Sequence, residues 1–176
     1  AAARLLSSWS HSVLLIDRPG GQSRTLAESI PPSAQKLLAR IGLLTALEDA
    51  RFPLWRGNTV TWGTTTRVEP FVPGAAGYLV QRSAFDALLL DLAVGSGATC
   101  WTGSVRSIEG IDGDGDISLV VDPEPGAAAA RQASATFVID ASGRAGLLAR
   151  PRLRRRTEAP HTIALAGRWR TTAEHA

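Results

Sequence analysis

Several short segments set polar side chains where apolar runs end. The run Val13-Leu-Leu-Ile16 closes on Asp17, with Arg18 beside it. A carboxylate at the tip of a buried strand can accept hydrogen bonds from both hydroxyls of a ribose, its use in dinucleotide-binding βαβ units. A solvated strand-end acid is the plain alternative. Arg82 follows the short run Tyr78-Leu-Val80 and precedes a helical pattern. A guanidinium suits a pyrophosphate because its fork donates two parallel bonds; otherwise it is a surface arginine. The run 135–139 ends on Asp140-Ala-Ser-Gly-Arg144. Ala141 and Gly143 are small enough for backbone to approach a ligand at the carboxyl end of a strand, where ligands collect in open α/β sheets. Alternatively, this is a simple strand-to-helix turn. Glu28 and Ser29 lie in Ala27-Glu-Ser-Ile-Pro-Pro-Ser33, where Glu28 suits a helix N-terminus and its dipole.

The elements needed to position these groups are readable in outline. Residues 1–8 form the tail of a small-residue helix, and the continuous run 13–16 is a parallel strand covered on both faces. Pro31-Pro32-Ser33 opens a helix carrying Leu37, Leu38, Ile41 and Leu44 on one face, with Gly42 dividing it. Residues 51–77 are mostly loop around one strand at 58–62, and 78–81 is another strand. Ser83-Ala-Phe-Asp86 reads as a capping box for a helix that stops at Gly95. Strands follow at 99–101, 104–111 and 117–121, the last two joined by the turn Asp112-Gly-Asp-Gly-Asp116. A buried strand is predicted at 135–140, and another begins at 161–169.

Composition narrows the class. The chain has 176 residues, 44% hydrophobic and 20% charged, which is ordinary for a globular domain and unlike a disordered one. No apolar run can span a bilayer. The one cysteine, Cys100, excludes an internal disulfide or a multi-cysteine metal site, and a cytoplasmic location is the default. Residues 112–116 resemble the start of a calcium loop, but Ile117 and Pro123 stand where glycine and glutamate are needed. Gly95-Ser-Gly97 lacks a third glycine and a lysine, and no nucleophile elbow occurs. Trp55 and Trp62 suit either a core or a substrate pocket. The basic run 150–156 has no interleaved aromatics and reads as a solvated face rather than a nucleic-acid patch; a basic nucleic-acid-binding module is the alternative of a different class.

The acid at 17, the Glu-Ser-x-Pro-Pro segment, Arg82-Ser-Ala-Phe-Asp86 and Asp140-Ala-Ser-Gly-Arg144, in that order, resemble the FAD-binding domain of the flavoprotein monooxygenase superfamily. Within it, they look most like the tryptophan-halogenase and geranylgeranyl-reductase branch. The resemblance implies an α/β fold of the para-hydroxybenzoate-hydroxylase type. Its Rossmann-like parallel sheet would carry an antiparallel β-meander and part of a substrate-binding layer. Residues 1–51 and 79–160 would be FAD-binding, 52–78 would start the substrate-facing layer, and 161–176 would begin the next substrate-domain strand. FAD would contact Asp17, Arg18, Glu28, Ser29, Arg82, Val105 (through its backbone), Asp140, Ala141, Ser142, Gly143 and Arg144.

The implied activity is an oxidoreductase reaction: a monooxygenase using a flavin hydroperoxide on an organic or protein-linked substrate, with NAD(P)H or a flavin reductase as electron source. A geranylgeranyl-type reductase or a halogenase is the alternative. No catalytic side chain is named, and neither the halogenase lysine nor its tryptophan-rich motif can be placed. The family's Gly-x-Gly-x-x-Gly is missing before Ala1, its later Gly-Asp motif is expected beyond Ala176, and the chain has no methionine. The chain is therefore expected to be a fragment truncated at both ends that holds FAD weakly by itself, since the glycine loop and helix dipole bind the pyrophosphate.

Overall fold

A computed structural model of the chain describes residues 1–18, 27–124 and 129–148. The expected strand at 161–169, the basic run 150–156 and the segment 149–176 as a whole lie outside the described residues. The described chain divides into two compact units, one built mainly of residues 1–104 and the other of 105–122 and 129 onward.

The first unit starts with α1 (Ala2–Ser8), which leads into β1 (Leu14–Asp17). β1 pairs in parallel with β7 (Thr99–Thr102), in a register that sets Leu15 against Cys100 and Asp17 against Thr102. The helix α4 (Arg82–Gly95) precedes β7 as α1 precedes β1, and the two helices pack together. A parallel pair needs a crossover connection of this kind, and residues 13–16 are half-buried within it.

A second sheet is antiparallel. β2 (Ala27–Ile30) and β3 (Leu54–Trp55) flank β6 (Gly77–Gln81). Helices α2 (Gln35–Arg40) and α3 (Leu44–Asp49) bury Leu38, Leu43 and Leu47 against Tyr78 and Val80, with Phe85, Leu88, Leu89 and Leu92 of α4 closing the core. Gly42 separates α2 from α3 as the sequence suggests, and the hydrogen bonds show how. It has φ +69, its N–H donates to Ala39 O, and Leu43 N–H donates to Leu38 O, a Schellman ending. Leu37, expected on the apolar face, is 60% exposed. The left-handed turn at Gly42 resets the helical phase, so the buried set is Leu38, Leu43 and Leu47 rather than one continuous stripe.

Residues 51–77 hold more strand than expected. β4 (Gly57–Trp62) pairs with β5 (Thr65–Pro70) as a hairpin, joining the predicted strand to an unpredicted one. Every residue of β5 is exposed, so no period-2 apolar signal marks it.

The capping box at Ser83–Asp86 does not form. α4 begins two residues earlier than such a box would place it, at Arg82, and Gln81 caps it without a side-chain bond. Asp86 is engaged by Arg82 instead. The far end falls at Gly95, as expected; the left-handed glycine beyond it is Gly97 (φ +99), and Ala98 N–H closes on Ala93 O.

The second unit is a three-stranded antiparallel sheet ordered β10-β9-β8, formed by β8 (Ser104–Glu109), β9 (Ile117–Asp122) and β10 (Arg131–Ala135). The expected hairpin turn at 112–116 forms but is longer: β8 ends at Glu109 rather than 111, so residues 110–116 link it to β9. The buried strand expected at 135–140 is not found. The β9 ladder is taken by the polar stretch Arg131–Ala135, which apolar patterning cannot reveal. Residues 136–140 have no ladder partner among the described residues, and Phe137 and Ile139 are 78% and 54% exposed.

Candidate functional site

Asp17 stands at the carboxyl end of the parallel pair. Its backbone carbonyl accepts a bond from Gly103 N–H at 2.9 Å, which ties the two strand ends together. Its carboxylate is exposed and has no hydrogen-bond or ion-pair partner among the described residues. The charge acts on Cys100, a half-buried thiol on β7: burial first, and Asp17 second, push its pKa up. Arg18 follows, exposed, in irregular backbone. An unengaged acid at this end of a parallel pair can accept bonds from a vicinal diol.

Glu28 and Ser29 lie on β2 opposite Val80 and Leu79, so Glu28 is a strand residue and not a helix-terminal acid. The structure brings Glu28 to Arg82. Arg82 Nη1 donates to both Glu28 oxygens, at 3.0 and 3.1 Å. Its Nε and Nη2 face Asp86, with Nη2 at 3.0 Å from Oδ1. Bonds from Asp86 first and Glu28 second hold the guanidinium's pKa above its usual range. All three guanidinium nitrogens therefore face carboxylates, an arrangement different from a fork left open for a phosphate. Asp86 is the group that sequence reasoning assigned elsewhere; the i, i+4 spacing of Arg82 and Asp86 was its available signal.

In the second unit, Asp140 organises the loop that follows it. Its Oδ1 accepts from Ser142 N–H at 2.9 Å and from Ser142 Oγ at 2.5 Å, and its Oδ2 accepts from Leu148 N–H at 2.9 Å. Ser142 Oγ in turn accepts from Leu147 N–H at 3.0 Å. A 3-10 turn at Gly143–Ala145 carries the backbone of Arg144, and Gly143 adopts φ +62, a conformation that favours glycine. Ala141 and Gly143 are exposed and Ser142 is half-buried. Val105 sits half-buried near the start of β8, three residues past the end of β7.

Trp55 and Trp62 part company. Trp55 packs edge-on against Phe71 with ring centres 4.8 Å apart and donates to Gly57 O. Trp62 is 86% exposed and, with Val60, Thr65 and Arg67, lines a shallow open hollow of about 380 Å³ on the β4–β5 hairpin. Among the described residues there is no cluster of histidine, cysteine and acidic side chains able to hold a metal. No helix among them is long and apolar enough to cross a membrane.

No family model matches the chain, and no curated protein matches it. Solved structures do. A flavoprotein/dehydrogenase from Cytophaga hutchinsonii superposes with a TM-score of 0.71 at 24% identity, over 85% of this chain and 38% of its own. The flavin-dependent halogenase CmlS gives a TM-score of 0.70 at 25% identity, over 85% of this chain and 28% of its own. Aklavinone-11 hydroxylase, solved with FAD and aklavinone, gives a TM-score of 0.57 at 14% identity, over 77% of this chain and 29% of its own. The chain shares the fold of these proteins, mixed α/β with a Rossmann-like parallel pair, and it spans roughly a third of their length.

Proposed function

We propose that the protein is an FAD-dependent oxidoreductase, and that Asp17 receives the adenosine ribose of the cofactor. The observation that carries this reading is the unengaged, exposed carboxylate of Asp17 at the carboxyl end of β1, in a fold shared with flavoproteins. The residues present fit FAD unevenly. Asp17 offers two free acceptors to a diol. Gly143, in its left-handed conformation, and the small Ala141 leave backbone of the 140–148 loop open to a ligand. Asp140 spends its bonds shaping that loop, so its contribution is to hold Ala141, Ser142 and Gly143 in place. Val105 offers main chain, and Arg18 offers an exposed cation beside Asp17.

When bound, FAD would supply the redox chemistry, activating O2 for hydroxylation or halogenation of an organic or protein-linked substrate. The chain's own residues would bind and orient the cofactor. Monooxygenation is the reading preferred here. Halogenation is the second, supported by the halogenases among the similar structures. Electrons would come from NAD(P)H directly or through a flavin reductase.

The test is purification of the protein from its natural reading frame, followed by its visible absorbance and the flavin released on denaturation. Stoichiometric FAD is expected. A colourless protein that takes up no FAD on titration would overturn the proposal. Oxygen uptake with NAD(P)H, with and without a flavin reductase and with and without chloride or bromide, then separates the two readings.

A further inference from the structure

We propose that Glu28 and Asp86 are positioning residues that hold the Arg82 guanidinium as a clamp between β2 and the head of α4. This rests on the FAD reading above, since the clamp matters for function only if the segments it joins face the cofactor.

Three observations carry it. Arg82 sits between carboxylates from different elements, one 54 residues away and one a single helical turn on. Its side chain is 32% exposed, against 51% for Glu28 and 49% for Asp86, so the cation is the most sheltered member. Arg82 also occupies the first position of an α4 that has no side-chain cap and no acid in its first turn. A lone cation there opposes the helix dipole; two flanking carboxylates offset it.

The fork accounts for the residue type. An ammonium is a point charge, whereas a guanidinium presents Nη1 to one carboxylate while Nε and Nη2 meet another. The cluster as a whole carries one positive and two negative charges, so it repels a phosphate rather than attracting one. Its effect is mechanical: Glu28 is fixed at its place in β2, next to Ser29, and β2 is tied to the point where β6 becomes α4.

The direct alternative, Arg82 as a phosphate contact, makes the opposite forecast for one substitution. Glu28→Gln removes a competing negative charge and frees Nη1, so FAD would bind more tightly if Arg82 touched a phosphate. A clamp makes FAD bind more weakly. The experiment is FAD titration, by flavin fluorescence, of the protein from its natural reading frame and of its Glu28→Gln, Asp86→Asn, Glu28→Gln/Asp86→Asn and Arg82→Lys variants. The expected result is about a tenfold loss for each single carboxylate variant, equivalent to about 1.4 kcal/mol. The double variant should lose no more than the larger single loss, because both act through Arg82. Arg82→Lys should lose as much as the double variant. FAD affinity unchanged or increased in Glu28→Gln overturns the clamp while leaving the FAD reading intact. A wild-type protein that binds no FAD overturns both.

Discussion

Leu37 and Leu38 are the same side chain at adjacent positions of one short helix, and they separate the packing account from helix propensity. Leu38 is 7% exposed and Leu37 is 60% exposed. Truncation to alanine removes three carbons from each. At about 0.8 kcal/mol per buried CH2, the transfer loss at Leu38 is about 2.4 kcal/mol. A cavity term of about 1 kcal/mol adds to it, because the surrounding Leu43, Leu47, Tyr78 and Val80 relax only in part. Leu38→Ala should therefore cost about 3 kcal/mol. At Leu37 less than half of that transfer term applies, water fills the space, and alanine is slightly the better helix former, so the cost should be about 1 kcal/mol or less. Urea unfolding followed by tryptophan fluorescence measures both, with the slope checked for constancy. Equal costs, or a larger cost at Leu37, would refute the helical phase that Gly42 imposes and with it the packing of α2 beneath β6.

The remaining expectations use other parts of the chain. Gly77→Ala drives a methyl into the Ile30 carbonyl oxygen and should cost about 1–3 kcal/mol by strain; Gly95→Ala meets open space and should stabilise α4 by about 0.5–1 kcal/mol. Differential melting compares the two, and the same sign for both would contradict the backbone placement. Cys100 should alkylate slowly at neutral pH because burial, and then Asp17, raise its pKa; Asp17→Asn should speed it, and a slower reaction would contradict the proximity. A thiol whose folded pKa lies above its unfolded value contributes stability that is fully present below the unfolded value. That stability fades as pH rises through the folded one, so the urea midpoint should fall at alkaline pH in wild type more than in Cys100→Ser. Asp140→Ala removes the acceptor of three bonds to Ser142 and Leu148, and faster proteolysis of the loop, with β8–β10 intact, is the expected result.

The legible parts of the sequence were those where one physical rule dominates. The run 13–16 is continuously apolar, the pattern of parallel strands, so β1 and the placement of Asp17 at its tip could be read directly. Tyr78–Val80, the long helix α4 and the turn at 110–116 were legible for similar reasons. The strands β5 and β10 were not, because their residues are polar and largely exposed and so carry no apolar alternation, although each pairs with the strand just before it in the chain. The segment 135–140 misled for the converse reason: Phe137, Val138 and Ile139 carry strand propensity, yet the ladder beside β9 belongs to Arg131–Ala135. At the candidate site, residue types pointed to Glu28, Arg82 and Asp140. Their bonding could not be read, since Glu28 meets Arg82 only through the pairing of β2 with β6, and Asp140 turns inward on its own loop.

Asp17 is proposed to accept hydrogen bonds from an adenosine ribose. FMN carries the same isoalloxazine and one phosphate but no adenosine, so a pair of titrations isolates that contact. In the protein from its natural reading frame, Asp17→Ala should weaken FAD about 10- to 100-fold, the loss associated with charged hydrogen bonds of about 1.5–3 kcal/mol, while FMN affinity stays as in wild type. FAD bound equally well by wild type and Asp17→Ala would contradict it.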